Sequence, residues 1–529
     1  MKKTIAWILC VLLALTLAVP AFAAEKQGTD VPTVYLQGQG EHIYLPDGTK
    51  IYDGGDLPDG FLADAVKECM PSFLDAVRND DAESWAAYRE KLLGMLLPVI
   101  GGWALNKDGE ASDGSHIDMS WWNQGPGKFG DGSYRFRTYN FYQDWRVDPF
   151  ETARLLNSFI LKVKTETGAP KVNLVGRCEG ANVILAYLAE YGYDDVNCVE
   201  IYVQSASGVD GMSALFSGRM QLDATALRRF KETSDLIRIE DQALVELIDA
   251  ALEFTGDTML LDAGMLGLQA LIPKVYKEVV VYALRETYGR MPGIWSLVGA
   301  DYYQDARKGV FKGYEDEYAK LLEKLDNYDV KVRQRVEDII LDAVAHGVKF
   351  ANYSKYGNYQ VTPICETNNE IGDNSVSLKF ESMGATTAKF GDTLSDSYLE
   401  KAKKNGTDQY ISPDKMVDAS TCLLPDTTWF IYGSDHRDFP ELIHAFMFKF
   451  LKADGNLKVN DDSAPQFMVY AGSEIDHTDT LVPMEEENAA TLESGNVVFK
   501  NIKWKDMVMR FFKSILNFFK SFLLKRIAA

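Results

Sequence analysis

Apolar positions along the chain recur at two different periods, and the switches between them mark out a series of elements. VPTVYLQGQG, Val31 to Gly40, is an apolar, β-branched run entering a glycine-rich turn, the pattern of a buried strand. A hairpin is expected directly after it, around LPDGTKIYDGG. Phe61 to Ile100 carries helical spacing, whereas Trp103 to Gly132 holds no period and is rich in Gly, Asp and Trp. YRFRTYNFYQDWR, Tyr134 to Arg146, alternates as a strand does. Pro149 to Thr167 reads as a helix, Val172 to Val175 as a strand, and CVEIYVQSASG, Cys198 to Gly208, as the next strand. Strand, helix, strand, helix, strand at this spacing predicts an α/β fold with a mostly parallel sheet and crossover helices.

From Ala214 to Ala345 the spacing turns helical throughout, which reads as a helical cap inserted into the strand-helix series. The sheet is expected to resume around YQVTPICETN, Tyr359 to Asn368, and again at TTWFIYG, Thr427 to Gly433. The expected organisation is a core in two parts, 24–213 and 346–475, around a cap at 214–345, with an extension at 476–529. About 500 residues exceed what one compact core usually holds, so a core with an insertion suits the length.

Both ends differ in kind from the middle. Lys2 and Lys3 precede an apolar stretch, Ile5 to Leu17, followed by Pro20 and the small-x-small site Ala21-Phe22-Ala23, the layout of a secretory signal peptide at 1–23. The expectation is an exported, extracytoplasmic protein. At the other end, Trp504, Met507, Val508, Phe511, Phe512, Ile515, Phe518, Phe519, Phe522 and Leu523 recur every three or four positions. Residues 503–526 carry seven basic groups and one acid, which describes an amphipathic helix lying in a membrane interface; a core or dimer helix is the other reading. That tail is set on a chain of formal net charge −22, a surface that repels nucleic acid, so no nucleic-acid partner is expected.

Five of the six cysteines lie beyond the leader: Cys69, Cys178, Cys198, Cys365 and Cys422. Their spacing is too wide and irregular for a zinc site or a disulfide scaffold, and there is no His-Glu-x-x-His, so neither metal nor cofactor is expected. Gly38-x-Gly40 lacks the third glycine of a dinucleotide fingerprint, with Ile at 43.

The stretch that carries chemistry is KVNLVGRCEGANVILAYLAEYG, Lys171 to Gly192. Its centre, Gly176-Arg177-Cys178-Glu179-Gly180, is G-x-S-x-G with cysteine in place of serine, between an apolar strand and an apolar helix. Glycines on both sides let a sharp strand-to-helix turn form, and that turn lifts the central side chain clear of the sheet at a positive helix terminus. Arg177 favours a thiolate there and Glu179 opposes it. At these residues the chain resembles the α/β-hydrolase superfamily, in its lipase and lecithin:cholesterol acyltransferase-like branch, over most of 30–450. Cysteine at the elbow also resembles dienelactone hydrolases and polyhydroxyalkanoate synthases.

The resemblance implies an α/β-hydrolase-type sheet and a nucleophile–acid–histidine order. It implies oxyanion donors at the backbone N–H groups of Gln39 and Glu179, with Gln37 a mild departure from a His-Gly turn. Among His346, His436, His444 and His477, only His436 follows an apolar strand closely in a polar loop, GSDHRD, and it is the expected base. SPDKMVDAS resembles the D-G-x-V segment carrying the family's acid, which points to Asp414, with Asp418 as the alternative. The implied activity is hydrolysis or transfer of acyl groups from lipid-like esters at a membrane surface, by Cys178, His436 and Asp414. Trp121-Trp122 and MPGIWSLVG, Met291 to Gly299, are candidate linings of the substrate pocket. The competing expectation is an inactive hydrolase-like protein that binds a ligand under its cap.

Overall fold

The computed structural model describes residues 31–38, 42–52, 61–117, 138–221, 259–359, 370–461, 464–472 and 479–485. The expected leader, the 503–526 helix, Gln39, Trp121-Trp122, Cys365 and His477 lie outside the described residues.

Among the described residues, an eight-stranded sheet organises the fold. Its strands are β1 (Thr33–Leu36), β2 (Thr138–Phe141), β3 (Val172–Arg177), β4 (Val196–Tyr202), β5 (Lys349–Tyr356), β6 (Thr428–Tyr432), β7 (Phe467–Ala471) and β8 (Thr480–Pro483). The spatial order is β8-β7-β6-β5-β4-β3-β1-β2. All neighbours pair in parallel except β7 and β8, which are antiparallel. The central strands read as near-continuous apolar runs because both faces are covered, which is the normal condition of a parallel sheet. One face packs on helices α1 (Pro149–Thr167) and α2 (Glu179–Tyr191), through Val34, Leu174 and Ile201 against Leu156, Ile160 and Ile184.

Local signals account for the helix boundaries. Asp148 caps α1 by accepting from the Phe150 N–H at 3.0 Å, Pro149 sits at the first turn, and Gly168 ends the helix at φ 70°. The hairpin expected near LPDGTKIYDGG is present as Ile43–Tyr44 paired with Lys50–Tyr52, turning at Gly48 with φ 85°. The helical run from Phe61 divides into Phe61–Asn79 and Ala82–Leu96, broken at Asp80, whose φ is 49°.

Two expected boundaries move. Helix α3 (Ala319–Lys331) is shared, with Leu321, Leu322 and Leu325 in the aromatic cluster described next and Tyr328 in the cluster of the sheet, whereas α4 (Val336–Ala345) packs in the sheet's helical layer through Val336, Ile339 and Ile340. The helical material outside that layer is earlier, where Phe216, Trp295, Tyr303 and Phe311 form a separate aromatic cluster with Trp103 and Trp145. The sheet also resumes earlier than expected, at Lys349, and it reaches past 475, because Thr480–Pro483 forms its last strand. Among the described residues, no helix is long and apolar enough to cross a membrane.

Candidate active site

Strand β3 runs into α2 with a single residue between them, Cys178, whose backbone stands at φ 50° and ψ −122°. A non-glycine residue there is strained, at a cost of about 1–3 kcal/mol, and must be held by its surroundings. Its N–H donates to the Tyr202 carbonyl at 3.0 Å, and its carbonyl accepts from the Ala181 N–H at 3.0 Å. The turn is too tight for side chains on either flank. A Cβ at Gly176 would lie 2.7 Å from Ile184 Cδ1 and 2.9 Å from the Ala181 nitrogen, and one at Gly180 would run into the Leu36 carbonyl. The two glycines of G-R-C-E-G are therefore the turn's steric requirement.

Gly38, at the end of β1, packs directly on the thiol-bearing residue. A Cβ there would stand 2.8 Å from Cys178 Cβ and 3.5 Å from Sγ. The Gln143 amide fixes this turn by donating to the Gln37 carbonyl at 3.1 Å. The Glu179 N–H hydrogen-bonds the Cys178 sulfur, in the position of an oxyanion donor. Its partner donor was expected at Gln39, outside the described residues.

The structure brings His436 to Cys178. The imidazole hydrogen-bonds the thiol, and its Nδ1 bonds the Asp373 carboxylate, leaving Nε2 as the nitrogen on the sulfur side. Asp373 is fully buried and His436 nearly so, at 0 % and 13 % side-chain exposure. Asp373 binds the histidine twice, because its carbonyl also accepts from the His436 N–H at 2.9 Å. Its other carboxylate oxygen accepts from the N–H groups of Ser375 at 2.9 Å and Val376 at 2.8 Å.

These contacts decide the charge states. Burial pushes the Cys178 thiol up, but the His436 charge and hydrogen bond, the Arg177 guanidinium and the Glu179 N–H together hold it below its ordinary value. Burial pushes His436 down, yet Asp373 and Cys178 raise it to about 10. Burial likewise opposes the Asp373 carboxylate, which His436 and the two backbone N–H groups keep below the usual range. Each of these contacts shifts the site toward a thiolate–imidazolium pair backed by a carboxylate. The Glu179 carboxyl is turned toward Gly293 and Tyr328.

The acid expected at Asp414 is not at the histidine. Its carboxylate accepts from the Tyr356 hydroxyl at 2.9 Å, the Ser412 hydroxyl and the Met416 N–H, which makes it the brace of a turn. Asp418 accepts from the Tyr398 hydroxyl at 2.8 Å and the Ser420 N–H at 2.8 Å, and is equally remote in role. Asp373 takes the place of both. A signal for it was present: Asp373-Asn374-Ser375-Val376 fits D-G-x-V as well as Asp414-Lys415-Met416-Val417 does. In both segments the second residue has positive φ, 74° for Asn374 and 60° for Lys415. Asn is the commoner stand-in for glycine at such a position, because its short polar side chain tolerates the left-handed region.

Of the other expected histidines, His346 and His444 are not at the thiol. His346 ends α4, exposed, its Nδ1 on the Asp342 carbonyl at 2.7 Å. His444 is held down to about 3 by burial and by the charges of Arg177 and Lys355, so it stays neutral. It borders a cavity of about 240 Å³ with Tyr35, Gln37, Asn140, Phe141, Tyr142 and Phe439, next to the Gly38 turn. The Met291 to Gly299 segment is packed core, with Met291 and Trp295 at 0 % exposure. Cys69, Cys198 and Cys422 are buried free thiols. Among the described residues, no cluster of three His, Cys, Asp or Glu side chains could hold a metal ion.

No family model matches the chain, and no curated protein does. Among solved structures, a match is found to the crystal structure of the Tle4-Tli4 complex, at 15 % identity and a TM-score of 0.18. It covers 35 % of this chain and 48 % of that one, so the chain spans about half the length of the structure it matches. A likeness that slight carries no argument about fold or activity.

Proposed function

We propose that this chain is an α/β-hydrolase-type enzyme that hydrolyses or transfers acyl groups through a Cys178–His436–Asp373 triad. The observation that carries the reading is the junction at Cys178: a strained thiol at a helix start, paired with an imidazole whose far nitrogen is held by a buried carboxylate. A structural thiol needs none of this. The three residues also follow one another as nucleophile, acid and histidine, after strands β3, β5 and β6 in that order.

The chemistry follows from the charge states. The Cys178 thiolate attacks the ester or thioester carbonyl carbon, and the carbonyl oxygen, gaining the electron pair, faces the Glu179 N–H. Collapse breaks the bond to the leaving alkoxide or thiolate, which takes the proton from His436, and a thioester remains on Cys178. Water or an alcohol acceptor then gives its proton to His436 and attacks that thioester, restoring the thiolate–imidazolium pair. Asp373 keeps the imidazole oriented throughout and stabilises it whenever it carries the proton.

The substrate class within this reading is a lipid-like acyl ester met at a membrane surface by an exported protein. The apolar stripe and basic residues of 503–526, the leader pattern at 1–23 and the resemblance to lipases support it. The test is turnover of a panel of chromogenic acyl esters and thioesters by wild type, Cys178→Ala and His436→Ala. Turnover lost in both variants supports the triad; turnover that survives Cys178→Ala removes it.

A further inference from the structure

The loop that carries His436 has four successive carbonyls, from Asp435 to Asp438, and two cations, a buried lysine and a half-buried arginine, take all four. Lys355 Nζ, on β5, donates to the Asp435 carbonyl at 2.5 Å and to the Asp438 carbonyl. Arg177, on β3 beside the nucleophile, donates to the His436 carbonyl at 3.2 Å and the Arg437 carbonyl at 3.0 Å. Lys355 is at 0 % exposure in the middle of a sheet, where an ammonium is expensive and a leucine would pack as well. Its neighbours keep it there: its ammonium lies 4.9 Å from the centre of the Tyr202 ring, and the Tyr202 hydroxyl donates to the same Asp438 carbonyl.

We infer that Lys355 and Arg177 act as a clamp that positions His436 against the Cys178 thiol, so that they are positioning residues for the triad. The inference rests on the triad reading above. Arg177 reaches from the elbow itself to the histidine loop, and Lys355 reaches from the strand that precedes Asp373. The clamp thereby links the strands behind the nucleophile and the acid to the loop that carries the base. Arg177 also acts on the thiol directly by its charge, whereas Lys355 acts through the loop alone.

The charged groups around the clamp come from every element packed on it. Asp373 lies in the acid loop, Glu381 on the short helix Leu378–Glu381, Asp435 and Asp438 in the histidine loop, and His444 on the helix Glu441–Lys452. Glu381 is fully buried; one carboxyl oxygen accepts from the Lys355 N–H at 2.6 Å and the other makes no hydrogen bond. Burial and the Asp373 charge hold it well above the usual carboxylate range, against the pull of that bond, hence neutral. Lys355 is accordingly not neutralised by Glu381 and is brought down to about 8, by burial first and by Arg177 second. Below that pH the Lys355 arm donates as a charged ammonium, and as pH rises through it the arm keeps two N–H donors but loses its charge.

The experiment is pulse alkylation of Cys178 by iodoacetamide across pH 5 to 10, read by peptide mass, in wild type and Lys355→Met. Thiolate is the reactive form, so the midpoint reports the thiol's own titration. The clamp predicts that Lys355→Met, with unchanged circular dichroism, is alkylated about tenfold more slowly at pH 6, the consequence of a midpoint displaced by one pH unit. A folded Lys355→Met with the wild-type profile overturns the clamp and leaves the triad standing. A wild-type midpoint at the free-thiol value overturns the triad and the clamp with it. Arg177→Gln supplies a second reading that does not depend on Lys355→Met folding: the far-downfield proton resonance of His436 Nδ1–H should broaden or vanish. Its persistence at the wild-type position overturns the clamp, because the direct charge of Arg177 on the thiol does not touch that bond.

Discussion

Replacing Asp373 by Asn separates the acid at the histidine from the acid named by sequence pattern. The side chain is fully buried and holds three donors: the Ser375 N–H, the Val376 N–H and His436 Nδ1. Asn keeps an oxygen for the two backbone groups, so the loop retains its turn. It then presents an NH2 to His436 Nδ1, which forces the imidazole proton onto Nε2 and removes the anion that most raises the histidine. In a serine triad this change costs about 10⁴ in kcat. Here the thiolate is already favoured by Arg177 and the Glu179 N–H, so part of the activation survives, and a loss of about 10³, roughly 4 kcal/mol of transition-state stabilisation, is expected. Asp414→Asn is the control. It weakens the bonds to Tyr356, Ser412 and Met416 and is expected to cost about 1–2 kcal/mol of stability with kcat/KM near wild type. The assay is kcat/KM on a chromogenic acyl ester beside Tm. A near-wild-type rate in Asp373→Asn, or the large loss falling on Asp414→Asn, would refute the assignment.

Gly38→Ala should reduce activity far more than stability, because the added methyl lands 2.8 Å from Cys178 Cβ and crowds the sulfur; equal losses in kcat/KM and Tm would speak against the site's position. Glu200 is fully buried, with one oxygen bonded by the Tyr353 hydroxyl at 3.0 Å, and burial raises its carboxyl well above the ordinary value. Its protonated form favours the folded state below the unfolded value near 4.5, and that advantage is lost as pH rises through the folded value, by about 1.4 kcal/mol per pH unit. Glu200→Gln should therefore raise Tm at pH 8 more than at pH 5, and a pH-independent change would contradict the reasoning. Removing 503–529 should abolish co-sedimentation with anionic lipid vesicles; equal partitioning of the full and shortened chains would dismiss the membrane reading.

Much of the sheet was legible because a strand buried on both faces is an apolar run with no helical period. VPTVYL, VNLVGR and TTWFIY are of that kind. The elbow was legible because its glycines and their neighbours are consecutive, so steric necessity is written locally. The acid was not, since the His436–Asp373 contact joins residues 63 apart in sequence, and two segments fit the same short pattern. Where the helical block meets the sheet was not legible, for a related reason. Helices Ala319–Lys331 and Val336–Ala345 have the amphipathic pattern of any surface helix, and whether the apolar face meets a sheet or another helix is a tertiary fact. Lys355 and Glu381 were unreadable altogether, because a charged residue in a sequence signals exposure, and both are wholly buried by contacts that span the chain.

The central claim is that Cys178 becomes acylated. Mature protein pulsed with a chromogenic short-chain ester, quenched in acid and measured by intact mass and peptide mapping, tests it most directly, with His436→Ala alongside. The account predicts a mass increase of one acyl group on the Cys178 peptide, formed markedly more slowly in His436→Ala. A turning-over enzyme with no adduct on Cys178, or an adduct confined to another residue, would contradict it.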